Sequence, residues 1–548
     1  MLWPPRRFFA FLLAVICISF VNLQADDIHC HVAVPHDPAP AEKALAVGKL
    51  SEAENLYREA VKSPHDPEID AGLIRTLLRE EKIDEAASTA QAALAAKPDS
   101  VVLITVLAEV QYRQGKVAEA AGTADQAYRA DRCNARLYLL RGRILRLNSM
   151  YASANRAIGI AHTLDPYDLD IRGAWVQTLP LAQRIEQQKQ YLAANTAMDP
   201  EERKRGEKYL SYLVTEASNP GKNCHLASAT TSTEIPLTPL AWDGSGRYIR
   251  GWGLHVFINN REAGLEVDSG ASGLVVSRAV ADRSGLKPAE RIAVGGVGDQ
   301  GAQGGFTAQV DSIRIGSLEF RDCRVEVTDR KDIIGGDGLI GTDVFSSYLV
   351  TLDYPMRKFL LSPLPPRPGD DSSTSAALYT DANSQGAGAS AGSTTAGPID
   401  RYIDPTMKDY LPVFRAGHFL ILPVVLNHKA QRLFMVDSGA ESSSISPEAA
   451  AQVTKLHGGS PVGIVGLSGE VKKVSTSDQI VFNFGGIEQT NNDLFAFDTR
   501  NMSLFAGVEV SGFLGDTVLR ELTIHIDYRD GLMKFDYDVR HGNHDFSH

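Results

Sequence analysis

The stretch GLEVDSGASGLVVS, residues 264–277, decides the fold, because LFMVDSGAESSSIS at 433–446 repeats it. In each copy a strand with apolar residues, 265–267 (Leu-Glu-Val) or 434–436 (Phe-Met-Val), delivers an aspartate, Asp268 or Asp437, to a glycine-bearing turn. The copies stay in step downstream, DGLIGTDVFSSYLVTLDY at 337–354 matching SGFLGDTVLRELTIHIDY at 511–528. Asp268 and Asp437 lie 169 positions apart, and both the pair Gly341 and Gly515 and the pair Asp353 and Asp527 lie 174 apart. One Asp-Ser-Gly arises easily by chance. Two with the same sequel do not.

The surrounding texture agrees. Segments such as GWGLHVFINN (251–260), AQVDSIRIG (308–316) and FRDCRVEVT (320–328) alternate Val, Ile and Phe with glycine breaks, which predicts short β-strands and tight turns. Two β-rich blocks result, at 230–363 and 401–540. Between them 364–398 is rich in Ser, Gly, Ala and Pro and reads as a flexible linker.

Paired aspartates in this setting suit one chemistry. Gly270 and Gly439 permit close backbone approach, and the hydroxyls of Ser269 and Ser438 can bond across to the opposite loop and fix the carboxylates. If the loops meet, carboxyl groups about 3 Å apart cannot both ionise and share one proton. The ionised member takes a proton from a water attacking a peptide carbonyl, while its protonated partner stabilises the developing oxyanion. This route requires no metal or cofactor.

Each block resembles a retropepsin-like aspartic protease domain. The resemblance spans about 300 residues in two halves and rests on Asp268-Ser269-Gly270-Ala271 and Asp437-Ser438-Gly439-Ala440 as the loops, with Leu339-Ile340-Gly341 and Phe513-Leu514-Gly515 as the apolar-glycine elements. It implies an intramolecular dyad of Asp268 and Asp437, as in pepsin-like enzymes, and flaps around Gly296, Val297 and Gly298 and around Gly466, Leu467 and Gly469. The chain departs from the pattern in three ways. Serine stands where threonine is commoner, neither flap candidate (291–309 or 461–473) holds a tyrosine, and Glu441 has Ser272 as its counterpart. Pairing between two molecules is the alternative to pairing in one chain.

Ahead of the β blocks, 41–217 is helix-like and periodic. Ala86, Ala120 and Ala154 are spaced by 34, as are Ala93, Ala127 and Ala161, with Pro98 and Pro166 in register. An earlier copy carries Ala53 and Ala60 with a one-residue slip. This resembles the tetratricopeptide repeat, which implies stacked helical hairpins. Such arrays offer a surface to a protein partner or serve as scaffolding, and 167–217 is expected to supply capping helices.

The N-terminus adds a compartment. Arg6 and Arg7 precede the apolar run 8–21 and the small residue Ala25, so 1–25 reads as a secretory signal peptide. The rival is an uncleaved anchor, for which the run is short. After cleavage no segment would span a bilayer, and the chain is expected to be exported to the periplasm or beyond. Cys30, Cys133, Cys224 and Cys323 then allow one or two disulfides, with three full pairings, or free thiols. A net charge of −12 without a basic stripe argues against nucleic acid.

Other motifs carry less. Residues 296–301 match GxGxxG, but the sequel reads as turn and strand instead of a cofactor helix. His29, His31 and His36, with Cys30, cluster near one end, and His541, His544 and His548 at the other; neither group is assigned a metal. Asp353 and Asp527 are read as structural. The expected architecture is a multidomain chain, an all-α tetratricopeptide-like solenoid followed by two all-β retropepsin-like lobes. The expected function is an aspartic endopeptidase acting on peptide or protein. The rival is a non-catalytic protein that docks a partner on the repeats and holds an extended peptide by strand addition.

Overall fold

A 34-residue period obliges the chain to repeat its local chemistry, and the helices of the computed structural model do so. The structure describes residues 30–34, 37–196, 198–218, 224–241, 249–329, 336–368, 399–458, 464–466 and 468–538. The signal peptide, nearly all of the linker, Leu467, and the terminal histidines other than His31 lie outside these. The described helical region comprises α1 (Pro40–Ala46), α2 (Leu50–Ala60), α3 (Pro67–Arg79), α4 (Ile83–Ala96), α5 (Val101–Arg113), α6 (Val117–Ala130), α7 (Ala135–Leu147), α8 (Tyr151–Leu164), α9 (Leu169–Val176), α10 (Leu181–Ala194) and α11 (Pro200–Ser218).

Three features recur at the period. Ser100, Asn134 and Asp168 each accept an N–H bond at the start of α5, α7 and α9, satisfying donors that a helix start leaves open. Glu81, Gly115 and Ser149 take left-handed φ values of 60°, 72° and 58° in the turns inside successive hairpins, where the chain must reverse within a few residues. Ala86, Ala120 and Ala154 are fully buried, the small side chain letting paired helices close. Charges follow the same spacing, Arg75 pairing with Glu109 at 3.1 Å and Arg136 with Asp170 at 2.9 Å, each across 34 residues.

Among the described residues the β region forms one nine-stranded and one ten-stranded sheet, one per lobe, a six-stranded sheet to which both contribute, and a separate two-stranded hairpin in lobe 2. At the centre of the shared sheet, Tyr348–Asp353 pairs antiparallel with Thr523–Asp527, in the register Leu349 to Asp527, Thr351 to His525 and Asp353 to Thr523. Asp353 and Asp527 accept from Met356 N–H and Asp530 N–H in the turns that follow their strands, both at 3.0 Å. That is the structural role read from their position. One core runs through both lobes, including Trp252, Phe345, Phe359, Phe434, Phe482 and Tyr528.

Lobe 2 also packs on the helical region. Phe419, Ile421, Leu433 and Met435 share a buried apolar cluster with Ile104 and Tyr112 of α5 and with Leu140 and Ile144 of α7. In lobe 1 the corresponding positions, by strand register, are Gly251, Gly253, Gly264 and Glu266. Three glycines and an acid offer no comparable apolar surface, which explains why this pair of strands docks on the helices in lobe 2 and not in lobe 1; lobe 1 meets α11 elsewhere, Thr215 Oγ1 donating to Glu290 Oε1 at 3.2 Å. Each large apolar side chain buried this way contributes about 1.5–3 kcal/mol. Ser153 further donates to Asp400 Oδ2 at 2.6 Å, and Arg401 N–H to Ser149 O at 3.1 Å.

Of the pairings open to the cysteines, the structure has Cys30–Cys133 and Cys224–Cys323. The first ties the leading segment to the repeats; the second ties the segment after α11 to lobe 1. Among the described residues no helix is long and apolar enough to cross a membrane.

Candidate active site

Strand Arg261–Asp268 and strand Ala430–Val436 end where the lobes meet. Each is held in parallel by an apolar-glycine element, Leu339, Ile340 and Gly341 lying beside Glu266, Val267 and Asp268, and Gly512, Phe513 and Leu514 beside Phe434, Met435 and Val436. Glycine is required at the end of each element. A Cβ on Gly341 would lie 2.7 Å from Ala271 O, and one on Gly515 2.5 Å from Ser442 O. Leu514 O accepts Asp437 N–H at 3.0 Å.

The two loops interlock through their serines. Ser269 Oγ donates to Val436 O at 2.9 Å and Ser438 Oγ to Val267 O at 3.0 Å. Each hydroxyl also accepts the other serine's N–H, at 2.9 and 3.0 Å. Four buried hydrogen bonds thus cross the lobe boundary at the base of the aspartates.

Above them Asp268 and Asp437 are in hydrogen-bonding contact with one another. Asp268 Oδ1 accepts Gly270 N–H and Ala271 N–H at 2.8 and 3.1 Å; Asp437 Oδ1 accepts Gly439 N–H and Ala440 N–H at 3.2 and 3.1 Å. A Cβ on Gly270 would sit 2.6 Å from Asp437 Cγ, and one on Gly439 2.3 Å from Asp268 Cγ. Each carboxyl therefore rests on the glycine of the opposite loop. Burial raises the affinity of both for protons, and the neighbouring Asp268 charge pushes Asp437 well above the usual carboxylate range. Two buried carboxyls in this contact cannot both ionise freely.

The flap candidates also meet. Strands Pro288–Val294 and Gln303–Ile315 form one hairpin and Ile464–Gly466 with Gly469–Val471 another. At the tips Ser468 N–H donates to Val297 O at 2.9 Å, Gln300 N–H to Ser468 O at 2.7 Å, and Gly296 N–H to Ser468 Oγ at 3.0 Å. The GxGxxG stretch is thus a hairpin tip.

Several further residues lie near the dyad. Glu266, 1% exposed, takes one bond from Arg250 at 3.2 Å, and burial raises its pKa to about 8. Trp252 Nε1 donates across the lobes to Asp516 Oδ1 at 2.9 Å. Asp343 accepts from Ser272 Oγ and Gly273 N–H at 2.7 and 3.0 Å, steadying the Asp268 loop, and burial lifts it to about 6. His418, brought down to about 4 by burial, faces the Gly270 backbone and packs on Phe419 and Phe505. Glu266 was detectable as an acid two places before Asp268, on the same strand face. The others come from segments remote in sequence.

Residues 254–344 match the family model described as aspartyl protease, and residues 44–100 one described as tetratricopeptide repeat. No curated protein matches the chain by sequence. Among solved structures the chain is similar to an aspartic proteinase from Irpex lacteus, at 12% identity over 56% of this chain and 98% of that one, with a TM-score of 0.32. It is similar to a tetratricopeptide-repeat protein of Thermus thermophilus, at 22% identity over 32% and 95% with a TM-score of 0.26. It is also similar to a retropepsin-like aspartic protease from Rickettsia conorii, at 18% over 25% and 93% with a TM-score of 0.18. Within the one chain, then, one segment matches the tetratricopeptide-repeat model and a later one the aspartyl-protease model.

Proposed function

We propose that the protein is an exported aspartic endopeptidase whose dyad, Asp268 and Asp437, forms within one chain. The observation that carries this reading is the contact between the two carboxyl groups, each seated on the opposite loop's glycine. In the singly protonated pair one carboxyl is the base and the other the donor, and the Asp268 charge, which pushes Asp437 upward, favours Asp437 as the donor. Asp268 takes a proton from the attacking water, Asp437 donates toward the carbonyl oxygen of the scissile bond, and the tetrahedral species collapses with a proton returned to the leaving nitrogen. The interlocked serines keep the carboxyls in register, and the hairpins around Gly298 and Gly469 close over an extended peptide.

Export is supported by the basic-then-apolar N-terminus and by two disulfides, which persist in oxidising compartments such as the periplasm or the extracellular medium. The substrate class is peptide or unfolded protein.

The test is cleavage of an unstructured protein across pH 3 to 8 by the wild-type chain, Asp268→Asn and Asp437→Asn. The expected result is a bell-shaped profile abolished in both variants, since below the lower apparent pKa there is no base and above the upper one no donor. Equal cleavage by all three would sink the mechanism. Peptide binding without cleavage by any of them would favour the non-catalytic reading.

A further inference from the structure

Lobe 2 leans on the repeats at a point that leads directly to Asp437. The turn between α5 and α6 passes through Gly115, where a Cβ would lie 3.0 Å from Glu509 O and 3.2 Å from Leu433 Cδ1. Beside it Glu509 N–H donates to Arg113 O at 2.9 Å. Val508 and Val510, flanking Glu509, are fully buried in the cluster shared with α5, α6 and α7. The chain then continues through Ser511, whose N–H bonds Leu433 O at 2.7 Å, into strand Gly512–Leu514. Leu514 O is the group that holds Asp437 N–H.

Lobe 1 secures the matching strand from within itself. Asp337, at the position of Ser511, accepts Gly264 N–H at 3.0 Å and Arg283 Nη2 at 2.6 Å. The two halves of the dyad are therefore supported differently, Asp268 by its own lobe and Asp437 in part by the helical region.

We propose that the repeat domain acts in cis as a brace for the Asp437 half of the dyad, with Gly115 and Glu509 as positioning residues. This rests on the reading of Asp268 and Asp437 as catalytic. The physical reason is the tolerance of the chemistry. A shared proton and an in-line water demand carboxyls held to a fraction of an ångström, so a strand displaced at Gly512 misplaces Asp437 without unfolding the lobe. On this account the helical region belongs to the catalytic unit, whatever else it binds.

The experiment compares the full chain with Gly115→Trp, which drives a ring into the joint, and with Gly122→Trp, at a site on α6 with open space around it. Two readouts are taken, amide hydrogen exchange over residues 507–516 and the steady-state kcat and KM for a peptide substrate. Gly115→Trp should exchange faster in that segment and lose about 100-fold in kcat at nearly unchanged KM, the scale expected of a displaced catalytic group. Gly122→Trp should match wild type in both. Native exchange and native kcat in Gly115→Trp would overturn the brace. If that variant fails to fold, Gly115→Ala is measured instead and must move both readouts the same way, or the proposal falls. Should the wild type itself prove inactive, the catalytic reading fails, and the exchange data alone still decide whether the joint supports the strand.

Discussion

Thr351 and His525 face each other in the central pairing of the shared sheet, with Thr351 Oγ1 and His525 Nδ1 2.9 Å apart. The 174-residue offset that aligns the lobes maps one onto the other. A local two-fold axis therefore passes between them. A duplicated strand that pairs antiparallel with its own copy brings equivalent positions together about such an axis. The reciprocal bonds of Ser269 and Ser438 show the same relationship, and so do the paired aspartates.

The serine lock should be measurable as stability. Ser438→Ala leaves Val267 O and Ser269 N–H buried without a partner, at a cost of about 1–3 kcal/mol. Ser269→Ala should cost a similar amount. Because all four bonds belong to one network, the double variant should lose less than the sum, as read by denaturant unfolding. Strict additivity would mean that the two hydroxyls do not act together.

The pH dependence of stability has a definite sign. Burial lifts Asp343 and Asp516 to about 6, Asp527 to about 7 and Glu266 to about 8. A carboxyl raised in the folded state contributes fully below its unfolded pKa and loses that contribution as pH climbs through its folded value. In the opposite sense Lys82 lowers Glu54 to about 2, and, against its burial, Asp170 is held low by Arg136. Those contributions vanish only in stronger acid. Tm should peak in the region of pH 4–5 and fall towards pH 8. Asp527→Asn should flatten the fall. A Tm that rises from pH 5 to 8 would contradict this account.

The hairpin tips should be intolerant of a single methyl. Gly298 has φ +131°, and a Cβ there would lie 2.4 Å from Gly469 O. Gly298→Ala is expected to part the tips and lower kcat/KM about tenfold, equivalent to about 1.4 kcal/mol. Unchanged kinetics would show that the tip contact is not used in turnover.

The disulfide joining Cys224 to Cys323 closes a loop with a sequence separation of 99. Paired replacement by serine should destabilise the fold by about 5 kcal/mol on chain-entropy grounds. Unfolding curves with and without reductant provide the check, and identical curves would mean that the bond adds nothing.

Much of the site was legible early because its signals are local. Apolar strand, aspartate, hydroxyl and glycine occupy consecutive positions, so Asp268, Ser269, Gly270, Ala271 and their copies could be named without knowing what they would touch. Trp252, Asp343, Asp516 and His418 could not. Their roles depend on partners far along the chain, such as the 264 residues separating Trp252 from Asp516; even for Asp343 and Asp516, which sit in the duplicated stretches 337–354 and 511–528, the local pattern does not name those partners.

By itself the sequence determined the helical period, the duplicated strand-loop unit and the aspartate that each loop carries, because each follows from side-chain type over a few consecutive positions. Only the tertiary structure decided which cysteines pair, which lobe's strands dock on α5 and α7, and that burial raises both aspartates. Those outcomes depend on complementary surfaces and on the dielectric around buried charge. Val508 and Val510 alternate like any strand residues; that they are buried in the apolar cluster formed with α5, α6 and α7 is settled by the distant segments that close around them.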